Sequence, residues 1–321
     1  MSAAPRSDRL VDCHFHWYPA EVEAGLNAAT GMTRMHSADW SDLEGQLARM
    51  DDLGRRVDVI SSTGPFTGLF TSIDHADSLR LTRLYNELVG EAQRSHPGRV
   101  WGTCVLPLLD TDAAIAELEY AVGTLGLVAV NIPGRIGAAE NLDDPRLEPL
   151  YARIAELDVP VFVHPNDEAF QDVLTGYDGA LHLSLGRVMD VSVSAYRLVL
   201  SGLMERHPDL RVVMSHTGGA LPYQAGRMDK NSEAAGLPRP PTEYLHRMYT
   251  DTVSPHTAGV RFAVDFYGAD QVMYGSDYPC WDPVKSLAII DELDLDDDAY
   301  RQITRDNATA FFRLAAVPSG V

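Results

Sequence analysis

The stretch "VDCHFHWYP" (residues 11–19) places His14 and His16 two positions apart inside an apolar run near the start of the chain. Leu10, Val11 and Phe15 mark that run as a short buried strand. Side chains alternate along a strand, so Asp12, His14 and His16 are expected on one face, with Cys13 and Phe15 on the other. Two imidazoles in a dry interior are costly unless their ring nitrogens find partners. A metal ion is one such partner; hydrogen bonding between core histidines is the other.

Outward from this stretch, short β-branched runs recur at residues 9–16, 57–63, 100–107, 127–133, 159–165, 210–217, 248–254 and 271–279, eight in all. Between them lie stretches such as "WSDLEGQLARMDDLG", "DSLRLTRLYNELVGEAQRSHPG", "TDAAIAELEYAVGTLG" and "PRLEPLYARIAELD", with apolar residues at helical spacing. The second is expected to open on Asp77 as N-cap and to stop at its His-Pro-Gly break. Strands alternating with helices imply a parallel sheet, because parallel neighbours need crossover connections. Eight such units predict an α/β fold, a single (β/α)8 TIM barrel over residues 1–321. A doubly wound open sheet is the competing arrangement. It is weakened by the absence of a GxGxxG after an early strand and of any P-loop pattern. The longest irregular stretches, 17–39, 64–76, 166–186 and 231–243, each follow a strand or its adjoining helix. In a barrel, insertions on that side build the substrate pocket.

Composition narrows the function. With 45% apolar and 22% charged residues the chain has an ordinary globular make-up. A net charge of −20 argues against nucleic acid or an anionic membrane as partner. Cys13, Cys104 and Cys280 are too scattered for a disulfide framework or a zinc knuckle, which fits a reducing compartment. The opening "MSAAPRSDRL" lacks an apolar signal core and no stretch reaches membrane-spanning length, so a cytoplasmic location is expected. The sequon at Asn307-Ala308-Thr309 is then a chance match.

Other ligand-type residues sit at places matching the opening pair. His164 ends the fifth run in "VFVHPND", His216 the sixth in "VVMSHTGG" and Asp277 the eighth in "MYGSDYP". Strand C-termini share one face of a barrel, so these residues and His14 and His16 are expected to converge. Three histidines and a carboxylate with one open position make a mononuclear divalent-metal site. Each residue alone has a structural reading: histidine before proline also occurs at His96 and His207, and Asp277 can cap the turn before Tyr278-Pro279. Their conjunction favours the metal.

The segments "VDCHFHWYP", "YNELVGEAQRSHPGRVWGTCVLPLLD", "VPVFVHPND", "VVMSHTGGALPYQAGRM" and "VMYGSDYP" together resemble the amidohydrolase superfamily, in order and spacing, over nearly the whole chain. Within it they are similar to the branch of aminocarboxymuconate-semialdehyde decarboxylase and the aromatic-acid decarboxylases. The resemblance implies His14, His16, His164 and Asp277 as ligands of one divalent ion per chain, Zn2+ first and Mn2+ second. His216 would stand beside the ion as a hydrogen-bond donor or acid/base group. Binuclear superfamily members use a carboxylated lysine at the end of the fourth strand. Here "LVAVNIPGR" offers Asn131, and the only lysines are Lys230 and Lys285, so a single metal follows.

The implied activity is that of a carboxy-lyase, a metal-dependent non-oxidative decarboxylase of a small aromatic or unsaturated carboxylic acid. Asp277 is the expected proton donor and His216 the polarising group. The alternative is metal-dependent hydrolysis of a lactone or amide on the same barrel, with Asp277 as general base. A scaffold without activity is disfavoured because all five residues are present. Arg135, Arg187, Arg227 and Arg239 are the conceivable holders of a substrate carboxylate. Phe15, Trp17 and Tyr18 either pack on an aromatic substrate at the pocket mouth or serve as lid packing. The expected partners are a small carboxylic acid and a second copy of the chain in a homodimer, with no nucleic acid and no membrane.

Overall fold

In a computed structural model, residues 7–31, 38–136, 140–166, 170 and 173–314 are described. Eight strands lie side by side in chain order, every neighbouring pair parallel: β1 (Arg9–His16), β2 (Arg56–Ser62), β3 (Val100–Cys104), β4 (Ala129–Pro133), β5 (Val161–His164), β6 (Val212–Met214), β7 (Tyr249–Asp251) and β8 (Val272–Met273). Past β8 the chain continues alongside β1, parallel to it. Cys13 N donates to Tyr274 O at 2.9 Å, and Asp277 N to His14 O and His16 N to Tyr278 O at 2.8 Å each. These bonds close the ring into a (β/α)8 barrel.

All eight predicted strands are present, and several end earlier than their apolar runs. His216 lies beyond Met214, and Asp277 lies beyond Met273, on the loops rather than on the strands. Strict alternation also fails along β1. Its register against β2 shifts between Asp12 and Phe15. Cys13 still shares the barrel interior with Val11, as alternation requires, but Phe15 packs outside with Leu47, Met50 and Tyr274. The bulge lets His14 follow Cys13 to the inside, which a plain two-residue repeat forbids.

The crossovers form as the helical spacing predicts: α1 (Ala20–Thr30), α2 (Leu43–Asp51), α3 (His75–Ser95), α4 (Thr111–Gly123), α5 (Glu148–Glu156) and α6 (Arg187–Leu200). The first is a correction, because residues 17–39 contain a helix where irregular chain was expected; residues 32–37 lie outside the described part. The cap of α3 is a second correction: Asp74, not Asp77, is the N-cap and accepts from Asp77 N at 2.9 Å. Asp42, Asp110, Asp282 and Asp296 cap other helices in the same way, each worth about 0.5–2 kcal/mol. Part of the acidic composition is thus helix capping.

The barrel interior is filled by Val11, Ile60, Ala129, Phe162, Val213 and Met273, and plugged by Phe311, Phe312 and Leu314 from the last helix. Two larger apolar layers lie between strands and helices. Among the described residues no helix is long and apolar enough to cross a membrane. Cys13 and Cys104 are buried and Cys280 exposed, all three unbridged.

Candidate metal centre

The ends of β1 and β5 and the loops leaving β6 and β8 bring the predicted residues to one place. His14, His164, His216 and Asp277 each offer a ligand atom, all within 4.8 Å of one another. His16 faces the same point: its Nε2 is 3.2 Å from His14 Nε2 and 2.9 Å from Asp277 Oδ1. It also forms a second cluster with Asp277 and Cys280. The rings of His14, His16 and His164 pack edge to face with centroids 4.8–5.2 Å apart.

Each imidazole is held from behind through Nδ1. His14 Nδ1 meets Asp251 Oδ2 at 2.6 Å, His16 Nδ1 meets Ser62 Oγ at 3.1 Å and His216 Nδ1 meets Ser215 Oγ at 3.0 Å. His164 Nδ1 donates to the Pro165 carbonyl at 3.0 Å. A carbonyl only accepts, so the His164 proton sits on Nδ1 and Nε2 carries a lone pair. That Nε2 is buried and has no hydrogen-bond partner among the described residues. Buried lone pairs converging on one point, each ring pinned through its other nitrogen, are what a divalent cation requires. The donor set fits a single ion.

The local backbone is shaped to aim these groups. His216, Thr217 and Asp277 have φ of +56°, +56° and +59°, a left-handed conformation that costs each of them free energy. Gly64, at φ +56°, passes so close to His16 that an added Cβ would stand 2.5 Å from the ring. Asp12 is buried and accepts from His14 N at 3.1 Å and Ser276 N at 3.0 Å, tying β1 to the segment after β8. Burial pushes its carboxyl up to about 6.

Electrostatics separate the histidines. Burial, then the neighbouring His16 and His14, hold His164 well below its ordinary value. Burial likewise lowers His16, against the opposing contact with Asp277. Burial and then His14 push His216 down to about 4. Burial would lower His14 too, yet the Asp251 carboxylate overrides it and raises this imidazole. For Asp277, burial disfavours the charge, but the His16 contact and the His14 charge hold its carboxyl below the usual range. At neutral pH the centre therefore combines neutral His16, His164 and His216 with an ionised Asp277, while Asp251 favours the charged form of His14.

Sequence reasoning did not single out Asp251, Ser62, Ser215 or Trp40. Asp251 stands 237 positions from His14, and its signal was a carboxylate inside the seventh run, where β7 ends. Trp40 stacks over His16 with centroids 6.2 Å apart and planes 9° from parallel. The aromatics proposed for the pocket mouth go elsewhere: Phe15 and Tyr18 are buried in the outer layers, and Trp17 Nε1 bonds Ser41 O at 3.0 Å. Asn131 is engaged elsewhere, accepting from Thr63 Oγ1 and Thr67 Oγ1 at 2.9 Å and donating to Phe162 O at 3.2 Å. Of the four arginines, Arg227 and Arg239 are exposed, the latter 3.4 Å from Glu205, and Arg135 and Arg187 are half-buried.

A family model described as amidohydrolase matches residues 11–314. The chain belongs to the amidohydrolase family. This amidohydrolase is similar to the gamma-resorcylate decarboxylase of Rhizobium sp. (strain MTP-10005), with 27% identity over 292 residues, 84% of this chain and 86% of the relative. Its fold is similar to that of 5-carboxyvanillate decarboxylase from Sphingomonas paucimobilis, at TM-score 0.87 and 23% identity, covering 96% of this chain and 100% of the other. It is also similar in fold to a dihydroxybenzoic acid decarboxylase from Polaromonas sp. JS666, crystallised with manganese and the inhibitor 2-nitroresorcinol. Here the TM-score is 0.82 and the identity 22%, over 96% and 98% of the two chains.

Proposed function

We propose that the chain is a metal-dependent, non-oxidative decarboxylase of a small aromatic or unsaturated carboxylic acid. The observation that carries the reading is the convergence of buried imidazole nitrogens, His164 Nε2 among them without a partner, on the ionised Asp277. His14, His16, His164 and Asp277 would hold one divalent ion. Zinc suits three imidazoles and a carboxylate, and manganese, bound by the Polaromonas protein, is the second choice. Such an ion supplies a Lewis acid that neutralises the substrate's carboxylate and a neighbouring oxygen.

The chain's own groups do the rest. Asp277, ionised and free of proton at neutral pH, accepts the proton of the substrate's acidic hydroxyl. It then delivers that proton to the ring carbon bearing the carboxylate, which interrupts conjugation. The carbon–carboxylate bond breaks, its electron pair returns to the ring, and carbon dioxide leaves. The hydroxyl's proton thus ends on the ring carbon, the oxyanion left behind takes one proton from solvent as product leaves, and nothing is oxidised. His216 is neutral, and in the tautomer whose Nδ1 accepts from Ser215 Oγ–H it would present an Nε2–H donor to the charge developing on the substrate oxygen. Trp40, stacked on His16, would cover that side of the centre.

A homodimer and a cytoplasmic location belong to the same reading. The exposed apolar side chains Tyr177, Leu183, Leu185 and Met189, between β5 and the first turn of α6, support the dimer, and light scattering on the purified protein checks it. The deciding experiment for the chemistry is turnover of dihydroxybenzoates by zinc- and manganese-loaded protein in deuterated water. The expected result is released carbon dioxide and one deuterium at the carbon that lost its carboxylate. A retained carboxylate, with water added across an ester or amide in a parallel lactone and amide panel, would replace this reading by the hydrolase.

A further inference from the structure

We infer that Cys280 is a further ligand of the metal centre, and that its sulfur makes the site select zinc over manganese. The inference rests on the metal-dependent reading above and concerns which ion the chain takes. Cys280 Sγ, a ring nitrogen of His16 and a carboxylate oxygen of Asp277 lie within 4.8 Å of one another. In zinc sites sulfur stands about 2.3 Å and imidazole nitrogen about 2.1 Å from the ion, so ligand atoms on opposite sides of it are about 4.4 Å apart. The three atoms are thus near enough to share one ion, and a small rotation of the exposed Cys280 side chain covers any remainder. The chain is bent to put the sulfur there. Past β8, Trp281 N donates to Asp277 O and Tyr278 N to Ser276 Oγ, each at 3.1 Å, so that Cys280 returns over the carboxylate.

A second observation marks the same point as a place for an ion. His164 Nε2, fully buried and with no hydrogen-bond partner among the described residues, belongs to a ring packed edge to face on His16, with centroids 5.1 Å apart. A ring nitrogen of His164 also lies within 4.8 Å of an Asp277 oxygen. An ion on that carboxylate is therefore within reach of buried imidazoles from inside and of the thiol from the solvent side. The other two cysteines set the contrast: Cys13 lies in the barrel interior and Cys104 in an apolar layer, where burial pushes both thiols up. The chemistry of sulfur then decides the ion. A thiolate is a soft donor that favours zinc, whereas manganese prefers carboxylate, carbonyl and water oxygens and gains little from sulfur. On coordination the thiol gives up its proton to solvent. The Polaromonas protein was crystallised with manganese; Cys280 turns this chain toward zinc.

The test loads the whole chain with cobalt as a spectroscopic probe, and then with zinc and manganese. Cobalt-loaded wild type should show a sulfur-to-cobalt charge-transfer band in the near ultraviolet beside the visible ligand-field bands. Cys280→Ser should lose the first and keep the second. By competition with a chelator, Cys280→Ser should bind zinc about tenfold or more weakly and manganese within about twofold of wild type. Its fold should be retained, since Cys280 is exposed, and circular dichroism checks this. Visible bands without the near-ultraviolet band in wild type overturn the assignment and leave the metal centre standing. An unchanged preference for zinc over manganese in Cys280→Ser overturns it as well. Uptake of none of the three ions by wild type removes the centre and this inference with it. None of these readouts needs turnover: if the sulfur band appears yet no acid is decarboxylated, the decarboxylase reading falls and the Cys280 assignment stands.

Discussion

In the lower and middle part of the barrel the strands turn Val11, Ile60, Ala129, Phe162, Val213 and Met273 toward Phe311 and Phe312, a dry apolar plug. At their upper ends the same strands, or the loops just past them, carry His14, His16, His164, His216 and Asp277, every one buried or nearly so. The apolar end gains free energy with each side chain it buries, roughly 1.5–3 kcal/mol per large residue. The polar end spends it, on desolvated imidazoles and on three left-handed residues at about 1–3 kcal/mol each. The contrast teaches that the plug and its surrounding layers hold the fold, and that the upper end is free to be arranged for binding.

Substitutions at the two ends should therefore dissociate activity from stability. The largest loss of activity is expected from His164→Ala and Asp277→Asn, about 10³-fold or more in turnover, with metal lost or weakened by elemental analysis and the circular dichroism spectrum retained. Full metal occupancy in His164→Ala would break the assignment of that ligand. His216→Ala should lower turnover about 10²-fold while keeping its metal. Metal loss as complete as in His164→Ala would move His216 into the coordinating set in place of His16, a choice that the four-atom cluster leaves open.

Asp251→Asn removes the carboxylate behind His14 and should weaken metal affinity about 10- to 100-fold, measured by competition with a chelator. At the opposite end, Phe311→Ala should cost about 3–5 kcal/mol in denaturant unfolding yet leave kcat of the folded enzyme within a few-fold. A large fall in kcat there would mean that the two ends are coupled.

The smallest effect is one of pH. Folded metal-free protein holds His216 down to about 4, against an ordinary 6.5, so between those values the unfolded chain binds more protons. The stability that neutral His216 contributes is then fully present above about pH 6.5 and lost as pH falls toward 4. On acidification through this window, metal-free wild type should lose melting temperature relative to metal-free His216→Ala. A gap between the two that does not move with pH would show that His216 is not buried neutral.

What the sequence by itself determined was local and periodic. Eight β-branched runs separated by helical spacing dictate a parallel barrel, because side-chain periods of two and 3.6 are properties of the chain's own geometry. The placement of His14, His16 and His164 at strand ends was legible for the same reason. Even there the period was obeyed only up to Cys13, since a bulge depends on the partner strand and not on the run itself. Tertiary structure alone decided what stands behind each imidazole: Asp251 for His14, Ser62 for His16, and Trp40 stacked across it. Hydrogen-bond partners far apart in sequence meet only once the barrel closes, and a side chain's pKa is set by those neighbours and by burial, neither of which any local pattern records.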